Sequence, residues 1–177
     1  VCGAIWYQGE SNVGQPERYA RLLPAMIRSW RKAWDDRNLA FVFVQLPNYG
    51  MTEPPHETWA YMREAQLAAL DLPRTGMAVT IDVGDTFNIH PPDKLPVGER
   101  LARAALSVAY GRDVLPCGPL YDGAAFADGL ARVRFRHAGD GLASSDGGPL
   151  RGFAVAGQDR PFFPAEAPME GGTVCVR

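Results

Sequence analysis

Apolar positions recur along this chain with two periods, and the change from one to the other falls near residue 116. Before it, Tyr19, Leu22, Leu23, Met26, Ile27, Trp30 and Trp34 follow one another at helical steps, which predicts a helix over residues 16–36. Pro16 suits its first turn, whereas Pro24 lies inside the stripe and is expected to kink it. A second helix is predicted over 57–70, with Trp59, Met62, Leu67 and Leu70 inward. A third is predicted over 97–110, with Leu101, Ala105, Val108 and Ala109 inward and Gly111 closing it. The apolar run at 1–6 is strand-like, 39–46 reads as a strand buried on both faces, and 77–81 as another buried strand. Strands that alternate with helices predict a parallel α/β sheet, whose function sits in loops beyond the strands' C-terminal ends. Those loops are residues 6–15, 46–58 and 82–96.

After residue 116 helical periodicity stops. Residues 130–136 alternate apolar with basic side chains, as a half-exposed strand does. Residues 139–148 form a glycine- and aspartate-rich turn, and 153–156 and 174–176 read as short strands. This stretch predicts antiparallel β-structure: residues 1–115 as one domain, and 116–177 as the start of a second, incomplete one. Both ends of the chain are β-rich and lack a polar tail, so the sequence reads as a piece of a longer protein.

Composition narrows the classes. With 177 residues, 46% hydrophobic and 21% charged, the chain can build a core. Its net charge of -2 gives no pull toward nucleic acid, and no apolar run is long enough to span a bilayer. Cys2, Cys117 and Cys175 have no metal-ligand spacing and form no disulfide framework. His56, His90 and His137 are too dispersed for a metal site. His137 reads as structural and His56 as a loop residue near the sheet edge. No cofactor motif is present.

Two loops carry candidate chemistry. Trp6-Tyr7-Gln8-Gly9-Glu10-Ser11-Asn12 gathers amides, a carboxylate and a hydroxyl directly after a strand. The glycine permits close backbone approach, and an amide can donate to an oxyanion. The alternative is a helix entry with Ser11 or Asn12 as cap and Trp6 as core. Ser11 has only the first glycine of a nucleophile elbow, because Val13 stands where the second belongs. The other loop runs from Asp82 to Lys94, with Asp82 and Asp85 ahead of His90 and Pro91-Pro92 behind it. A histidine there can shuttle a proton with a carboxylate orienting it, or it is an exposed loop residue.

Together GAIWYQGESN and DVGDTFNIHPPDKLPVGERLA resemble the sialate O-acetylesterase family, carbohydrate esterases of the SGNH hydrolase superfamily. Trp59 with Met62-Arg63-Glu64-Ala65-Gln66 is similar to that family's helix between the two blocks, and CGPLY and LRGFAVAG look like the domain after its core. The resemblance implies a three-layer α/β sheet and removal of acetyl groups from sugar hydroxyls, typically on sialic acids. It implies a serine nucleophile in a GQSN-like block, absent from these residues, and no cofactor. It implies His90 as general base, with Gln8 and Gly9 at oxyanion and substrate contacts supported by Glu10 and Asn12. It also suggests a secreted or periplasmic setting. Phe87 stands where such enzymes often place the acid, leaving Asp85 as the candidate and Asp82 as the alternative. A non-catalytic carbohydrate-binding protein on the same scaffold is the competing reading, and a hydrolase using Ser11 a third.

Overall fold

In the computed structural model, which describes residues 1–50, 57–158 and 161–177, the chain divides into two compact units, Val1–Cys117 and Gly118–Arg177. The first contains β1 (Gly3–Trp6), α1 (Pro16–Ala33), β2 (Ala40–Val44), α2 (Glu57–Leu67), β3 (Thr75–Ala78) and α3 (Leu95–Val108). The strands form one parallel sheet in the order β1-β2-β3. Every residue of β2 is buried, as a central strand covered on both faces requires.

Strand alternation shows which helix covers which face. Phe41 packs against Trp30 of α1, with ring centroids 5.8 Å apart. Thr75, paired in register with Phe41, donates its hydroxyl to Leu72 O at 2.7 Å in the turn after α2. Val42 and Gly76 pair on the opposite face, where Ala104 and Val108 of α3 come down on Gly76. Helices α1 and α2 therefore lie on one face and α3 on the other, giving three layers. This is the α/β architecture expected from the sequence.

The differences are local. The third strand ends at Ala78 rather than at residue 81, because Ile81–Val83 turns into a short 3-10 helix and exposes Ile81. Helix α1 runs from Pro16 to Ala33 through Pro24 without interruption. On α2 and α3 the deepest residues include Ala65, Gln66 and Ala104, small or polar positions that a search for large apolar side chains passes over.

In the second unit β4 (Leu120–Ala127), β5 (Leu130–Arg136), β6 (Ala154–Ala156), β7 (Phe162–Pro164), β8 (Met169–Glu170) and β9 (Thr173–Val176) are antiparallel. Four of them form a sheet in the order β4-β5-β9-β8, and β6 pairs with β7. Asp128 and Gly129, at φ +53° and +72°, make the two-residue turn between β4 and β5, a geometry that matches the twist of paired strands. Ala167, Val174 and Val176 form the core under Val133, Phe135, Leu150 and Phe153.

Candidate active site

Because the three strands are parallel, the loops that leave their C-terminal ends share one edge of the sheet. The loop after β2 is locked first. Gln66, on α2 and 1% exposed, donates Nε2 to Val44 O at 3.1 Å and accepts from Leu46 N at 2.9 Å. One buried carboxamide thus satisfies both backbone groups where the ladder runs out. Thr80 fixes the next loop by donating Oγ1 to Gln45 O at 2.5 Å.

The loop after β1 then packs on this frame. Gly9 is buried at φ +156°, and a Cβ there would lie 2.9 Å from Met62 Cε and 3.2 Å from Leu46 Cδ1. Only glycine combines that backbone with that space. Glu10–Asn12 is a 3-10 turn. The Gln8 carboxamide is held at both ends, donating Nε2 to Asn12 Oδ1 at 2.8 Å while Tyr19 Oη stands 3.2 Å from its Oε1 and 2.9 Å from its backbone oxygen. Burial pushes the Tyr19 phenol above its ordinary range, so it remains a neutral donor. An NH2 group has two protons, and the second Gln8 N–H has no acceptor among the described residues. Ser11 is exposed, and its hydroxyl makes no hydrogen bond among the described residues.

The third loop carries His90. Gly84 passes so close to the second loop that a Cβ on it would stand 2.0 Å from both Asn48 O and Asn48 Oδ1. Asp85 bridges Tyr49 in parallel register, extending the β2–β3 pairing past the strands. The Asp85 carboxylate accepts from the backbone N–H groups of Phe87 at 2.8 Å and Asn88 at 2.9 Å through a single oxygen, Oδ1. Asn88 in turn accepts from His90 N at 2.9 Å. These side chain-to-backbone bonds shape the turn that presents His90. The His90 ring is exposed and has no hydrogen-bond partner among the described residues, while Pro91 beside it is buried. Asp82 faces elsewhere: Arg100 of α3 binds both its oxygens, at 2.5 and 2.7 Å. That guanidinium holds the Asp82 carboxyl below its usual range.

The first and third loops meet. Lys94 places Nζ 5.1 Å from the centre of the Tyr7 ring, a cation–π contact. Burial, with Glu10 adding to it, raises the Tyr7 phenol, which stays uncharged under the cation. The structure thus joins the Gln8 and His90 loops at one sheet edge and ties Asp82 to α3. His56 lies outside the described residues. His137 follows β5 at φ +59°, in the other unit. No group of three or more metal-ligating side chains is present among the described residues. No helix among them is long and apolar enough to cross a membrane.

Sequence reading missed Gln66 as a structural anchor and Gly84 as the close approach between loops. Gln66 had a signal, a lone amide on the inward side of a helix. Gly84 had none.

The three-layer arrangement of helices about a parallel sheet is an SGNH-like α/β fold. The family profile described as "Carbohydrate esterase, sialic acid-specific acetylesterase" matches residues 1–107. Mouse sialate O-acetylesterase is 36% identical over 137 aligned positions, covering 67% of this chain and 25% of that protein. The human sialate O-acetylesterase is 33% identical and is covered to 26%. The crystal structure of a carbohydrate acetylesterase from Xanthomonas citri superposes on the whole chain with a TM-score of 0.92 at 42% identity, the chain covering 42% of it. The chain belongs to the sialic acid-specific acetylesterase family of carbohydrate esterases. It spans about a quarter of the length of the curated relatives it matches.

Proposed function

We propose that the protein to which this chain belongs is a carbohydrate O-acetylesterase acting on O-acetylated sialic acid or a related glycan. His90 is its general base, and the serine nucleophile comes from a segment upstream of residue 1. The observation that carries this reading is the contact between Lys94 and Tyr7, which joins the loop of His90 to the loop of Gln8. Residues 1–115 are then the C-terminal part of the esterase domain, and residues 116–177 the start of a β-rich accessory domain.

His90 takes the proton from the serine hydroxyl as its oxygen attacks the acetyl carbonyl, and passes it to the departing sugar oxygen. Water then attacks the acyl-enzyme, gives His90 a proton, and acetate leaves as the serine recovers its own. The free N–H of Gln8 and the backbone at Gly9 face the negative charge on the carbonyl oxygen. Glu10 and Asn12 support that loop, Asn12 by direct hydrogen bond to Gln8. Asp85 is the better candidate for the orienting acid, because only one of its oxygens is used by backbone amides. Asp82 is already occupied by Arg100.

An upstream strand also has somewhere to go. Among the described residues β1 is an edge strand of the sheet, and Ile5 on it is 66% exposed. A competing reading, a sugar-binding protein without catalysis, draws on Phe87, which is 83% exposed on the His90 loop and has an apolar face suited to a sugar ring.

The test compares acetate release from an O-acetylated sialic acid by this chain alone and by the polypeptide extended upstream. The reading expects turnover only from the extended protein. Turnover by the chain alone, abolished by Ser11→Ala, would assign the nucleophile to Ser11. Tight binding without turnover in the extended protein would favour the sugar-binding reading.

A further inference from the structure

The outer face of the second unit's sheet carries a row of arginines. Arg132, Arg134 and Arg136 alternate along β5 with Ala131, Val133 and Phe135, which face the core. All three arginines are exposed, and among the described residues none of their side chains makes an ion pair or a hydrogen bond. Alternate residues of a strand stand about 6.6 Å apart, and like charges at that spacing repel.

Its surroundings are small. Arg132 pairs in register with Ala125 on β4 and Cys175 on β9, and Arg134 with Gly123 and Thr173. Arg134 lies across β4, its Nη2 3.1 Å from the point that a Cβ on Gly123 would occupy. The acids nearby form no ion pair with the row among the described residues. Glu170 accepts from Cys175 Sγ at 3.2 Å, Glu166 pairs with Arg177 at 3.3 Å, and Asp122 sits in the bulge of β4. What remains is a row of three guanidinium groups on an exposed sheet face.

We propose that this face binds a glycan chain bearing carboxylates. Guanidinium forks match carboxylates in two-point geometry, and three of them at equal steps suit a repeating anion better than a single one. Membership in a carbohydrate esterase family makes the anion a glycan. The proposal rests on that membership and not on the role of His90.

The test measures binding of the whole chain to immobilised polysialic acid by surface plasmon resonance at low salt, beside the same polymer with its carboxyls reduced. The intact polymer is expected to bind and the reduced one not. The double variant Arg132→Gln/Arg134→Gln is expected to bind at least about tenfold more weakly with unchanged thermal unfolding, as loss of charged hydrogen bonds implies. Absence of binding, equal binding of the reduced polymer, undiminished binding by the variant, or single-stranded DNA binding as tightly as the glycan would each overturn the proposal. An inactive esterase site leaves this assay unaffected, so the two readings fail separately.

Discussion

Replacing Gln66 with methionine preserves volume but removes the only side-chain partners of Leu46 N and Val44 O among the described residues. Each orphaned backbone group costs about 1–3 kcal/mol when buried, so Gln66→Met is expected to lower stability by about 2–4 kcal/mol in urea unfolding. A loss under 0.5 kcal/mol, on the order of a surface change, would mean that water replaces the amide. At the candidate site, Gln8→Ala in the upstream-extended protein is expected to reduce kcat by about 10²-fold with little change in KM, the scale of one oxyanion donor. A rise in KM alone would make Gln8 a ground-state contact. Gln8 stood out in the sequence because it lies in a polar block directly after a strand, and that block resembles a family motif. Gln66 was not, because its role depends on where β2 ends in three dimensions.

The loops are built by contacts between elements. A methyl group on Gly84 would collide with Asn48 O and Asn48 Oδ1, and neither backbone nor a short amide can retreat far. Gly84→Ala is expected to cost about 1–3 kcal/mol and to perturb the turn that presents His90, visible as shifts in its ring resonances by NMR. Unchanged stability and resonances would show the loops to be loosely coupled. The Asp82–Arg100 pair ties the start of this loop to α3. Because Arg100 depresses the folded-state pKa of Asp82, the pair contributes fully above the unfolded carboxylate range near ~4. The contribution is lost as pH falls through the depressed value. With side chains 36% and 58% exposed, it is worth under about 1 kcal/mol. Arg100→Gln should therefore destabilise slightly at pH 7 and match the parent at strongly acidic pH, as urea midpoints across pH would show.

Helices were legible here because each buries one stripe, and β2 because both its faces are covered. The end of β3 was not, since Ile81 is apolar yet exposed in a turn. The β4–β5 hairpin had a local signal in Asp128-Gly129, but the small residues of β4 hid the strand before it.

At the scale of the first unit, the parallel sheet brings the loops after β1, β2 and β3 to one edge. Sequence alone reached the family and the two loops, because chemistry is concentrated in short stretches there. It could not reach the pairing of Lys94 with Tyr7 or the release of Asp82 to Arg100, which depend on how distant segments meet. The central claim is that His90 is the base of a serine esterase. Its most direct test is kcat/KM for an O-acetylated sialic acid in the upstream-extended protein, comparing the parent with His90→Ala and Asp85→Asn. The account predicts a loss of about 10³-fold or more for His90→Ala with the melting temperature unchanged, and a smaller loss for Asp85→Asn. A His90→Ala enzyme that retains most of its activity, with Asp85→Asn severely impaired, would contradict it.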